Sequence, residues 1–107
     1  MSNADPINAA AKDLARSGRA YAAAKDLARS GRAALVQFGL AWVWIADVAE
    51  VFASQADRAT FGAMLAAERG AVDLSRCDYV EGFDGEKIAA SVTRFGVAEW
   101  HFVKVAV

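Results

Sequence analysis

Residues 33–53 read AALVQFGLAWVWIADVAEVFA, and the reading of this stretch decides the fold, because it gathers most of the large apolar side chains in the first half of the chain. Leu35, Phe38, Trp42, Ile45, Ala49 and Phe52 recur at steps of three and four, the spacing that lines one face of an α-helix. The periodicity predicts a central helix over 33–53 with that row as its inner seam. Val36, Leu40, Val43, Trp44 and Val48 fill the opposite side, leaving Gln37, Asp47 and Glu50 as its main polar groups. A helix apolar nearly all round is buried on more than one side. Its length approaches the roughly 20 residues that span a bilayer. The two acids make insertion in lipid expensive, so no membrane association is expected.

Downstream, Ser54 with Asp57 three residues on fits a helix start, making a helical hairpin with the central helix. Phe61, Met64 and Leu65 give the second helix its inner face, and Gly70 suits the position after its end. Asp73 is read as the cap of a short helical turn carrying Leu74, Cys77 and Val80, closed by Gly82, and 82–85 reads as loop. From Lys87 onward Val, Thr, Phe and Trp become common and the period approaches two. This predicts strands at 87–95 and 98–106 joined through Gly96 in a type II′ hairpin. That register sets Arg94 opposite Glu99, Val92 opposite His101 and Ile88 opposite Val105. A helix at 85–95 is the competing reading, since Ile88, Val92 and Phe95 also satisfy helical spacing.

Upstream lies a duplication: AAAKDLARSGRA at 9–20 returns letter for letter at 22–33, with Tyr21 between the copies. So undiverged a repeat records a recent tandem event, natural or engineered, rather than a solenoid, which needs about three units. In one unbroken helix an offset of 13 would turn equivalent residues about 220° apart, so Leu14 and Leu27 could not share a face. The expectation is an arm in which only the second copy packs on the body, leaving the first mobile or available to another subunit. The division is therefore a basic, Ala-rich helical arm at 1–33 and a single core domain at 34–107.

Charge follows the same division. Residues 9–33 carry Lys12, Arg16, Arg19, Lys25, Arg29 and Arg32 against Asp13 and Asp26, whereas 34–107 carry six basic groups against ten acids. The arm is basic and the body acidic. A stripe of arginines is how a phosphate-contacting surface looks, which makes Arg16, Arg19, Arg29 and Arg32 candidate nucleic-acid or anion contacts. It is also how a solvated helix face looks, and an electrostatic match to the acidic body is the favoured alternative.

With 107 residues, 56% hydrophobic and 23% charged, the chain has the composition of one small globular domain. One cysteine excludes an intrachain disulfide framework, and one histidine supplies no zinc cluster. The N-terminus lacks the apolar segment of a secretory signal, and the expected compartment is the cytoplasm, in a bacterial setting. His101 has no motif partner for general-base work and reads as a structural histidine. Cys77 stands between Arg76 and Asp78, whose effects on a thiol oppose each other. The acids at 73–86 lack the spacing of a calcium loop, and Gly82 and Gly85 make no phosphate-binding pattern. No catalytic, cofactor or metal residues are assigned.

The fold class expected is α+β, mostly helical, with a C-terminal β-hairpin. The function expected is a non-catalytic interaction or assembly protein acting as a homodimer, or binding another protein partner, through Trp42, Trp44, Phe52, Trp100 and Phe102. Its alternatives are a nucleic-acid accessory protein using the basic arm and a small-ligand domain with an aromatic pocket.

Overall fold

The computed structural model of the chain describes residues 18–67, 72–78, 80–95 and 97–107. Its elements run α1 (Arg19–Arg29), β1 (Leu35–Gln37), β2 (Leu40–Trp44), α2 (Ile45–Val51), α3 (Arg58–Ala67), β3 (Asp73–Ser75), a 3-10 turn (Val80–Gly82), α4 (Gly85–Ser91), β4 (Thr93–Phe95), β5 (Ala98–Trp100) and β6 (Phe102–Ala106). The class is α+β. Helix is 45% and strand 26% of the described residues, yet a sheet, not a helix, organises them.

That sheet corrects the reading of 33–53. The stretch forms an antiparallel hairpin, β1 and β2, followed by the seven-residue α2. The continuous run Leu40-Ala41-Trp42-Val43-Trp44 is rich in the β-branched and aromatic side chains that a central strand with two covered faces requires. The chain reverses at Phe38 and Gly39, both at positive φ (55° and 75°). This is the backbone of a two-residue type I′ turn, which feeds the right-handed twist of the flanking strands.

The large sheet has the order β1-β2-β6-β3, antiparallel throughout. Period-two alternation divides its side chains. Ala41, Val43, Val103 and Val105 face the helices and form one core with Ala20, Ala24 and Leu27 of α1, Ile45 and Val48 of α2, Phe52, and Phe61, Met64 and Leu65 of α3. The inner face expected for the helix after residue 57 is therefore as read. Trp44 and Phe102 point to the other face as a cross-strand pair with ring centroids 4.5 Å apart, and Phe83 closes over both at 5.7 Å. Such ring pairs add about 0.5–1.5 kcal/mol beyond their buried area.

Local caps explain most helix ends. α1 stops in a Schellman arrangement: Arg32 N–H donates to Leu27 C=O at 3.0 Å, Gly31 N–H donates to Ala28 C=O at 3.1 Å, and Gly31 takes φ 75°. The start of α2 is satisfied from a distance, Ile45 N–H donating to His101 C=O (2.9 Å) and Ala46 N–H to the buried Ser91 hydroxyl (3.0 Å). For α3 the cap is Asp57 rather than Ser54, its carboxylate accepting from Thr60 N–H at 2.8 Å. Those Thr60 hydrogen bonds also hold the Asp57 carboxyl below its ordinary range. α4 is capped by Asp84, which accepts from Glu86 N–H at 2.9 Å.

Further downstream two expectations change. Residues 73–75 are strand β3 rather than a helical turn, and the first part of the expected strand at 87–95 is helix α4, as the competing reading had it. The tip of the C-terminal hairpin keeps the expected register, Arg94 opposite Glu99, with Arg94 Nη2 2.9 Å from Glu99 Oε2. Val92 and Ile88 do not pair with His101 and Val105. The expected strand at 98–106 divides at His101 into β5, which pairs β4, and β6, which pairs β2 and β3. The glycines at 70 and 96 lie outside the described residues, as does the first repeat copy up to residue 17. The described part of the arm is continuous with the body, since α1 lies in the main core.

Candidate interaction surface

Among the described residues, β1 is hydrogen-bonded to one neighbour, β2, and so forms an edge of the large sheet. Its residues Leu35, Val36 and Gln37 are all exposed and carry no charge. In a two-residue hairpin the residues flanking the turn, Gln37 and Leu40, are a hydrogen-bonded pair, so the Val36–Ala41 pair is not. The N–H and C=O of Val36 therefore point away from β2, off the edge of the sheet. Natural edges are usually blunted by lysine, proline or a covering element. β1 has no lysine or proline, and its Val36 side chain is 59% exposed.

The turn at the end of this edge carries two costs at once. Phe38 is 89% exposed and adopts φ 55°, the one non-glycine residue at positive φ among those described. An L-residue in this left-handed region costs roughly 1–2 kcal/mol, and asparagine, aspartate or glycine is the usual occupant. The strand end at the same corner adds to the patch: Val107 N–H donates to Gly39 C=O at 3.0 Å, and its side chain is 60% exposed. Leu35, Val36, Phe38 and Val107 thus lie along one edge and corner of the sheet.

The aromatic residues expected to make contacts sit differently. Trp44, Phe52 and Phe102 are buried within this single chain, Phe52 stacking on Phe61 at 5.7 Å, so their surfaces are already covered. Trp42 and Trp100 are half-buried. Trp42 is held on the open sheet face, its indole donating to Ser75 Oγ at 3.2 Å with Lys104 Nζ 5.8 Å over the ring and Lys104 paired to Asp73 at 3.2 Å. Trp100 packs against the main core. Helical spacing conceals the exposed edge in the sequence, because it assigns the same residues to a helix. The dipeptide Phe38-Gly39 offers only half of the turn signal, its glycine.

The described arginines of the arm have separate surroundings. Arg19 lies 5.2 Å over the Phe52 ring, Arg29 faces Asp26 at 3.8 Å across one helical turn, and Arg32 borders a groove of about 450 Å3 with Asp47, Glu50, Asp84 and Glu86. Arg16 lies outside the described residues. A second groove, of about 400 Å3, runs along Ala59, Gly62 and Ala63 of α3 to Arg58 and Arg94. Arg58 donates there to Ala90 C=O (2.9 Å) and Thr93 Oγ1 (3.5 Å), and Arg94 is paired with Glu99, so both guanidinium groups have partners within the chain.

His101, 3% exposed, binds on four sides. Its N–H donates to Ser75 C=O (2.9 Å), its C=O accepts from Ile45, its Nδ1 accepts from Cys77 N–H (3.0 Å), and its Nε2 is 3.5 Å from Glu99 Oε1. Accepting at Nδ1 puts the ring proton on Nε2. Burial pushes the imidazole pKa down, against the pull of Glu99. Lys87 and Asp47 form an ion pair joining α4 to α2.

Among the described residues no group of three or more His, Cys, Asp or Glu is placed to hold a metal ion, and no helix is long and apolar enough to cross a membrane. No protein-family model matches the chain, and comparison with curated proteins and with solved structures gave no match.

Proposed function

We propose that the protein is a non-catalytic assembly module in which β1 of one chain pairs antiparallel with β1 of a second copy, making one continuous eight-stranded sheet. The observation that carries this reading is Phe38, which accepts an unfavourable backbone conformation and near-complete exposure together. Among the described residues nothing offsets either cost, whereas a partner that covers the ring offsets the second.

The geometry of the edge favours a second copy as that partner. With a two-fold axis at Val36, each chain's outward N–H meets the other's C=O, so one symmetric contact satisfies both edges. Leu35, Val36 and Gln37 place no like charges opposite one another. Val36, Leu35 and the Phe38 ring then leave water, at about 25 cal/mol for each Å2 of apolar surface covered.

The test is Phe38→Asn. Asparagine suits the turn but removes the anchor, so the variant is expected to fold normally and to associate at least tenfold more weakly than the parent in sedimentation equilibrium. Equal association of the two proteins, or a parent that stays a monomer at millimolar concentration, would overturn the proposal.

A further inference from the structure

Most of the second repeat copy has a seat in the described fold. α1, which contains most of the second copy, lies on β2, β6 and α2, with Ala23, Ala24 and Leu27 buried in the main core. The first copy supplies the same side chains at the same spacing: Ala10, Ala11 and Leu14 stand where Ala23, Ala24 and Leu27 stand, and Lys12, Asp13 and Arg16 repeat the outward residues. Both copies also carry the same stop signal. Gly18, the counterpart of Gly31, takes φ 61° against 75°, so the glycine of each Ser-Gly-Arg sequence is left-handed, before α1 in one case and after it in the other. At the other end, Asp5-Pro6 is the sequence of an N-cap followed by a first-turn proline, at the positions matching Gly18-Arg19.

We infer that the α1 seat is a binding site for either copy, so that residues 9–16 are a second, interchangeable occupant supplied by the same chain. Identical side chains make identical contacts, and the difference between the two registers comes from the first turn and from the connecting loop. In the first turn, Ile7 and Asn8 replace Ala20 and Tyr21, and Ile7 meets the wall that encloses Ala20. The connection to β1 grows from residues 30–34 to residues 17–34, from five to eighteen, which by loop entropy disfavours the shifted register about sevenfold. The shifted register is thus a minor state of the same fold, and it frees residues 22–33 with Arg29 and Arg32.

Four full-length proteins test this by urea unfolding: the parent, Leu14→Ala, Leu27→Ala and the double variant. A buried Leu→Ala change with no replacement lowers the folding equilibrium constant by about thirtyfold or more. Leu14→Ala is expected to match the parent within about twofold, and Leu27→Ala to remain at least about fivefold more stable than the double variant, because Leu14 takes the vacated place. Equal stability of Leu27→Ala and the double variant would overturn the inference, as would a rescue that grows with protein concentration, which would mark exchange between chains. Deleting residues 9–21 joins Asn8 directly to Ala22 and fixes the shifted first turn without the long loop. That protein is expected to fold with a cooperative melt, and its failure to fold would also overturn the inference.

Discussion

His101 stands where the chain leaves the small β4–β5 ribbon and enters the large sheet, and its ring fastens the loop after β3 to that junction through Cys77 N–H. The imidazole can accept this bond only while Nδ1 is unprotonated. Because burial lowers its folded pKa below the ordinary 6.5, the unfolded chain binds the proton more readily. The contribution to stability is therefore complete above pH 6.5 and declines as pH falls through 6.5 toward the folded value. Urea midpoints are expected to be lower at pH 5.5 than at pH 7.5. His101→Asn, whose amide oxygen supplies an acceptor without titrating, is expected to lose about 1–3 kcal/mol at pH 7.5 but to show little change between the two pH values. A parent protein with equal midpoints at both would remove the histidine from this role.

At the scale of elements, the β1–β2 hairpin is held in register by its strands and not by the chemistry of its turn. Replacing Phe38 by Asn relieves the left-handed strain, so at protein concentrations low enough to keep the parent monomeric Phe38→Asn is expected to raise stability by up to about 1 kcal/mol in denaturant unfolding. A loss of stability would mean that the ring packs within its own chain. This element was also the least legible in the sequence. Leu35, Phe38, Trp42, Ile45, Ala49 and Phe52 follow helical spacing only because a strand, a two-residue turn, a longer strand and a short helix happen to place apolar residues at those numbers. The better signal was the unbroken Leu40–Trp44 run beside Gly39, which belongs to a strand covered on both faces. Where one interaction fixed the local structure, the sequence was readable: Arg94 and Glu99 set the tip of β4–β5, and Phe61, Met64 and Leu65 set the inner face of α3. At 85–91 the apolar residues fit both periods, and the Asp84 cap turned the balance to helix. Of the candidate contact residues, the sequence marked large aromatics, and the fold buried three of them; it could not mark Phe38, whose exposure follows from the turn.

At the scale of the molecule, the sheet is unequally protected. The helices cover one face, Phe83 and α4 cover the Trp44–Phe102 end of the other, and Lys104, Asp73 and Trp42 form a polar lattice over part of the remainder. Among the described residues, β1 is an edge where open backbone groups and exposed, uncharged apolar side chains coincide. If two copies join there, the Val36 amide changes from pointing off the sheet edge to donating across a two-fold axis. Hydrogen exchange at the Val36 amide, followed over a hundredfold range of protein concentration, tests this most directly. Exchange that slows at least tenfold as concentration rises, while amides facing solvent elsewhere keep their rates, is the result expected of edge pairing; a Val36 amide that exchanges at the unprotected rate throughout would contradict it.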